Sequence, residues 1–191
     1  MRKQRQGISM SERNPMTPKA VAIYGVMIAL VATMTLVLVP IPATRGYFNL
    51  GEAMIFFAAF VFGRKVAGVA GAVGAGIIDL IFAPHFLPAT IVIKFLEGYV
   101  AGTIAIGMRQ VSNVWAVRTV ACSLAGMIMI AGYFAYEVFV LPLGLSDTGG
   151  LGPALVELPF NIFQVLLGGL IAILLAEGIE LSYPRIQDFR V

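Results

Sequence analysis

Charge is what this sequence has least of. Only 12% of its 191 residues are Asp, Glu, Lys or Arg, about half the share (about 25%) with which a soluble domain clothes its surface. With 59% of residues apolar and a mean hydropathy of +0.92, the chain cannot surround a core with a water-facing exterior. Cys122 is the sole cysteine, so an internal disulfide is excluded and a cysteine-based zinc or iron–sulfur site lacks its ligands. His85 is the sole histidine, which leaves no histidine pair for a metal and one candidate base for a Ser-His-Asp arrangement. No GxxxxGK[ST] segment occurs. ATP therefore cannot be held through such a loop, and ATP-driven work would fall to a partner.

What the sequence has is apolar length. A span takes about 20 residues, which gives room for about six helices and predicts a single-domain, all-α integral membrane protein with six transmembrane helices. Ala20–Val39 is uncharged and ends at Pro40 and Pro42; it reads as a retained helix rather than a cleaved signal. Thr119–Tyr136, continuing towards Pro142, and Leu158–Ala176 are equally clean. Between them, Gly63-Arg64-Lys65 reads as a basic turn and Ala83 to Pro88 as a second turn, since paired prolines end helices. Helices are expected near 49–63, 66–82 and 89–109. The membrane domain is then 20–178, between a basic tail at 1–19 and a C-terminal tail at 179–191.

The basic residues orient this parse. Arg2, Lys3, Arg5, Arg13 and Lys19, Arg64 and Lys65, Arg109 and Arg118, and Arg185 and Arg190 fall on one side, with only Arg45 on the other and Lys94 inside a helix. By the positive-inside rule both termini are cytoplasmic. The net charge of +3 then reflects topology, and no nucleic-acid partner is expected.

Ionisable groups cost about 2.5–3.5 kcal/mol each inside a bilayer on insertion scales, so their placement is informative. Asp79 lies five residues before Pro84 and Lys94 six after Pro88. Both sit about 7–9 Å below the outer turn at 1.5 Å per residue, positioned to pair with each other. Glu97 shares the face of Lys94. Glu137 lies five residues below Pro142, with Tyr133 and Tyr136 beside it, and Glu157, Asn161, Gln164 and Gly168 make a polar stripe running inward. The opposite halves are almost wholly aliphatic and glycine apart from Glu177, which suggests a pocket open outside and closed below rather than a channel. Polar groups beside Tyr47, Phe48, Phe86, Tyr133, Tyr136 and Phe160 suit a small, flat, polar ligand.

Plainer readings stand beside these. Asp79, Lys94 and Glu97 could be a structural ion cluster; Glu52, three residues after Asn49, reads as part of a helix cap; Asn161 and Gln164 could bond between helices; and His85 could be a solvated loop residue. Gly68, Gly71, Gly74 and Gly76 follow no strand, so close helix packing explains them better than a dinucleotide fingerprint. Gly25, Ala29 and Thr33 recur every fourth residue on a helix with no ionisable group, a small-residue stripe for packing inside the chain or against a partner.

Taken together, Pro42-Ala-Thr-Arg-Gly-Tyr-Phe-Asn-Leu-Gly-Glu52, Phe62-Gly63, Gly76-Ile-Ile-Asp79-Leu, Pro88-Ala-Thr90-Ile-Val-Ile-Lys94-Phe-Leu-Glu97-Gly98 and Pro159-Phe-Asn161-Ile-Phe-Gln164 resemble the substrate-binding S components of energy-coupling factor (ECF) vitamin transporters, in the riboflavin-type or unassigned-substrate branch. The resemblance covers about residues 20–178. It implies a multi-pass cell-membrane protein that captures riboflavin or another small heteroaromatic vitamin or precursor from outside and delivers it inward with a membrane coupling subunit and two cytoplasmic ATPases. It implies no enzymatic activity and no cofactor, ATP being used by the partners. Carried onto this chain, Tyr47, Phe48 and Asn49 belong to one lid, His85 and Phe86 to another, and Lys94, Glu97, Glu137 and Asn161 to the pocket. Tyr133 and Gln164 complete the candidate contacts, and Gly25, Ala29 and Thr33 the candidate coupling interface. The long basic N-terminal tail and the short, acid-poor turn around His85 depart from the pattern. Two other classes remain as alternatives. A stand-alone proton-coupled transporter would use Asp79 or Glu97 as its proton site. An intramembrane lipid-processing enzyme would need a DxxxD-type cluster or a nucleophile–base pair, and the acids here are scattered singly.

Overall fold

A computed structural model describes residues 17–41, 44, 46–108, 110–145, 147 and 149–190. Arg2, Lys3, Arg5, Arg13, Arg45 and Arg109 of the orientation argument lie outside the described residues. Among the described residues there are six α-helices: α1 Pro18–Thr35, α2 Gly51–Val61, α3 Arg64–Phe82, α4 Leu87–Gly107, α5 Val114–Phe139 and α6 Leu151–Ser182.

Local chemistry sets several of their ends. Thr17 accepts from the Ala20 N–H at 3.2 Å and Pro18 fits the first turn of α1, while Asn113 accepts from the Ala116 N–H at 3.0 Å to start α5. Gly63 carries the chain from α2 into α3 at φ 100°, in the left-handed region that only glycine enters freely. Four boundaries differ from the sequence reading, one of them the start of α5, at Val114 and so five residues before Thr119. The last helix starts seven residues before Leu158 and runs six past Ala176, because a buried Glu157 interrupts an uncharged run without interrupting a helix. Pro159 lies inside α6, which membrane helices tolerate. The leading helix stops at Thr35, and the chain beyond it forms a two-stranded antiparallel hairpin, β1 Val39–Pro40 with β2 Tyr47–Phe48, pairing Val39 with Phe48 and Pro40 with Tyr47. The molecule is thus not purely α.

Five helices are long and apolar enough to cross a membrane; α2 is not. Its 11 residues rise about 16 Å, roughly half a hydrocarbon core. All 11 are buried, enclosed by α1, α3, α4 and α6. The hairpin leads into one end of it beside the α3–α4 turn, and at the other, next to the exposed Arg64 and Lys65, the Arg190 guanidinium donates to the carbonyls of Phe60 (2.7 Å) and Val61 (3.1 Å).

The glycines act through backbone contact. A Cβ on Gly68 would meet the Phe95 carbonyl at 3.0 Å, on Gly71 the Lys94 carbonyl at 2.7 Å, and on Gly74 the Ile28 carbonyl at 2.8 Å. Helix α3 therefore lies almost backbone to backbone against α4 and α1. The stripe on α1 does the reverse. Gly25, Ala29 and Thr33 are exposed, and a Cβ on Gly25 would meet nothing within 4 Å, so the stripe does not pack inside this chain. Residues buried on α1 are Ala20, Met27, Val31 and Thr35, on its opposite side.

Candidate functional site

The hairpin, the α3–α4 turn and the adjoining parts of α1, α3, α4, α5 and α6 surround a small cavity of about 40 Å³. Its lining includes Tyr47, Asn49, Phe86, Lys94, Tyr133, Asn161 and Gln164, seven of the candidates read from the sequence. Thr35, Gly46, Ala75, Asp79, Thr90 and Glu157 complete it.

One wall is a hydrogen-bonded chain. The Tyr47 hydroxyl donates to one oxygen of Asp79, and the Thr90 hydroxyl donates to the other. Having spent its proton there, Thr90 Oγ1 accepts from the Tyr133 hydroxyl at 2.8 Å. The Tyr47 phenol on the hairpin is held protonated, its pKa raised by burial and by the Asp79 carboxylate beside it. The hairpin is thereby tied to α3, and α3 to α4 and α5.

Below this chain lies a buried ion cluster. Lys94 forms ion pairs with Glu52 and with Glu97, the latter at 3.2 Å, and both carboxylates are fully buried. The ammonium also stands 5.4 Å from the centre of the Tyr133 ring. Two sequence readings are corrected here. Lys94 pairs with Glu52 rather than Asp79, whose oxygens are taken by hydroxyls. Glu52 does not cap α2; Asn49 Oδ1 instead accepts from the Gly51 N–H at 2.8 Å, and the Glu52 side chain points inward to Lys94. Nothing near Glu52 in the sequence reveals a partner 42 positions away.

The stripe on α6 is real as geometry. Glu157, Asn161 and Gln164 face the cavity, while Gly168, one step deeper, lets α2 approach until a Cβ there would lie 2.6 Å from Glu52 Cβ. Gln164 Oε1 accepts from the Asn49 N–H at 2.8 Å, anchoring the end of the hairpin to α6. Glu157 takes the Thr44 side chain and the Gly46 backbone as partners, and its carboxyl faces that of Glu137 on α5.

Four candidates do not line the cavity. Phe48 points to the far side of the hairpin and packs on Phe163 of α6 at 5.7 Å between ring centres. The His85 ring packs at a tilt against Phe86, 4.7 Å between ring centres, and its carbonyl accepts from the Tyr136 hydroxyl at 2.7 Å, so this turn is held by α5. Glu97 lies beneath Lys94, and Glu137 behind Glu157. Phe160 is turned outward, 41% exposed. The residues missed as site members, Asp79, Thr90 and Glu157, were each visible as polar positions in apolar helices. Their spacing along one chain could not tell a wall of the cavity from an interhelical contact.

At the opposite end of the bundle the described basic residues other than Lys94 gather around the start of α1 and the segment that follows α6. The Arg118 guanidinium pairs with Glu180 at 2.6 Å, and Lys19 donates to the Asp188 carbonyl at 2.7 Å and lies over the Phe189 ring. Arg118 is thus a buried helix residue rather than a loop residue. The half of the bundle remote from the cavity is less uniformly aliphatic than its hydropathy suggests.

A family model described as ECF-type riboflavin transporter, S component, matches residues 15–181. A Pyrococcus woesei protein, described as "Uncharacterized protein in gap 3'region", is 34% identical over 142 residues, which is 73% of this chain and 86% of that protein. A solved structure described as "Structure and mechanism of the S component of a bacterial ECF transporter" shares the fold, with a TM-score of 0.60 over 83% of this chain and 94% of that one at 16% identity. Five apolar helices long enough to span and this family together make the molecule a multi-pass membrane protein of vitamin uptake, a transporter component rather than an enzyme. The chain belongs to the S-component family of ECF-type riboflavin transporters.

Proposed function

We propose that this protein captures riboflavin, or another small heteroaromatic vitamin or precursor, from outside the cell membrane and delivers it inward with an ATP-driven module made of a membrane coupling subunit and two cytoplasmic ATPases. The observation that carries this reading is the position of the cavity. It is lined by three aromatic rings and a set of hydrogen-bonding groups, and it sits under a hairpin at the end of the bundle remote from the described basic residues other than Lys94. With the termini cytoplasmic, as the positive-inside rule requires, that end faces outward. Tyr47, Phe86 and Tyr133 offer ring faces; Asn49, Asn161, Asp79 and Glu157 fix orientation. The family supports the partners, and the exposed stripe Gly25, Ala29 and Thr33 on α1 is a surface on which a coupling subunit's helix could approach closely.

The test is binding of riboflavin to the purified chain, followed by quenching of flavin fluorescence. Asn161 lines the cavity without a structural bond of its own among the described residues, so Asn161→Ala should weaken binding by about 1–3 kcal/mol by leaving a ligand polar group unpartnered. Unchanged affinity in a folded Asn161→Ala protein would remove this residue from the site. Failure of any heteroaromatic vitamin to bind would remove the ligand class.

A further inference from the structure

The charges around the cavity do not balance, and the surplus is concentrated in one place. Lys94 is the only cationic side chain among the described lining residues, and Glu52 and Glu97 already engage it from below. Facing the cavity are two carboxyl groups. Asp79 has its hydroxyl donors. Glu157 has Thr44 and Gly46, but behind it stands Glu137, 1% exposed, with its carboxyl turned to that of Glu157. Apart from the Glu157 carboxyl, no hydrogen-bond partner among the described residues reaches either oxygen of Glu137.

Two carboxyl groups in contact and out of water cannot both stay ionised without positive charge nearby; left alone they share a proton. None of the described residues around the pair supplies that charge, and Arg45 lies outside the described residues. The cavity beside the pair carries what a cation also uses, the ring faces of Tyr47, Phe86 and Tyr133. A phosphate or carboxylate entering the same space would meet Asp79 and Glu157 with no uncommitted cation among the described lining residues.

We propose that the ligand presents a positively charged nitrogen, a protonated amine or a cationic ring nitrogen, to Glu157 with Glu137 behind it, and that anionic forms of the same ring system are rejected. This rests on the heteroaromatic reading above and sharpens it to a charge class. The Glu137–Glu157 pair then works as a charge filter at the mouth, with Glu157 touching the ligand and Glu137 setting the negative charge that Glu157 presents.

The test uses the full-length protein in detergent at low ionic strength and three isoalloxazines that differ only in the side chain: an aminoalkyl flavin (cation), riboflavin (neutral) and flavin mononucleotide (anion). Equilibrium dialysis should rank them in that order. Each step should be about tenfold or more, the size of one charge-assisted hydrogen bond gained or lost. Glu157→Gln should collapse the ranking, bringing the aminoalkyl flavin and the mononucleotide within about threefold of each other, a difference below one such bond. Glu137→Gln, which leaves the cavity wall intact, should reduce the ranking in the same direction, and Arg45→Gln should leave it in place. Binding of the mononucleotide as tight as that of riboflavin, or a ranking unchanged in both glutamate variants, overturns the proposal and leaves the heteroaromatic reading standing. If none of the three binds, the small molecule that co-purifies with the protein decides. A cation at neutral pH upholds the charge assignment and retires flavins, a non-aromatic cation retires the heteroaromatic reading as well, and an anion or uncharged molecule overturns the assignment.

Discussion

Gly98→Ala is the smallest change that should loosen the site from a distance. A Cβ at Gly98 would lie 2.5 Å from the carbonyl oxygen of Ala67, 2.6 Å from its carbonyl carbon and 2.9 Å from the Gly68 nitrogen. All three are backbone atoms, so no side chain can swing aside. Ordinary contact begins near 3.4 Å, and α3 and α4 must part by roughly 1 Å to restore it. Overpacking of this kind costs about 1–3 kcal/mol, which for a chain of this length lowers Tm by about 2–12 °C. The same movement separates Asp79 on α3 from Thr90 on α4, so ligand affinity should fall with stability although Gly98 does not line the cavity. Gly25→Ala on α1 is the matched control. Nothing lies within 4 Å of its Cβ, and replacing an exposed helical glycine gains about 1 kcal/mol, so Tm should rise by about 2–4 °C. Thermal unfolding of both variants in one detergent is the assay. A Gly98→Ala protein as stable as wild type, or one that moves with Gly25→Ala, would refute the backbone-to-backbone packing of α3 on α4.

Lys94→Ala removes the one cation from two fully buried carboxylates and should cost about 3–5 kcal/mol. Adding Glu52→Gln should restore part of that loss, and equal Tm values for the single and double variants would show that the pair is not coupled. Ala29→Trp places a large ring on the exposed face of α1, away from the cavity. It should abolish co-purification with a coupling subunit and leave ligand binding by the isolated chain intact. Loss of binding in that variant would place the stripe inside the fold.

The helices were legible wherever physics is local. Proline pairs and the Gly63-Arg64-Lys65 turn mark ends because they act on the backbone where they stand, and the glycines of α3 announce close packing because nothing else explains them in an apolar run. Helix α6 was read too short because a hydropathy run stops at Glu157, whereas a helix stops only when its backbone does. For the site, the stripe Glu157, Asn161 and Gln164 follows from helical period alone. Which partner each polar group takes does not. Lys94 had Asp79 across the α3–α4 hairpin and Glu97 on its own face, and its pairing with Glu52 instead of Asp79 depends on α2 being buried at the centre of the bundle. No residue of α2 states that in sequence; an 11-residue apolar helix reads equally as a short span. The hairpin was equally hidden, since Val39–Pro40 and Tyr47–Phe48 are too short to show an alternation.

The account stands most directly on what drives uptake. Vesicles containing this chain alone, given labelled riboflavin or the co-purifying molecule outside, should bind it and accumulate none, with or without a proton gradient. Vesicles that also hold a membrane coupling subunit and two ATPases should accumulate it only when ATP is supplied on the ATPase side, and Ala29→Trp should abolish that accumulation. Accumulation by the chain alone, driven by a proton gradient and lost in Glu97→Gln, would contradict the account and make this protein a transporter in its own right.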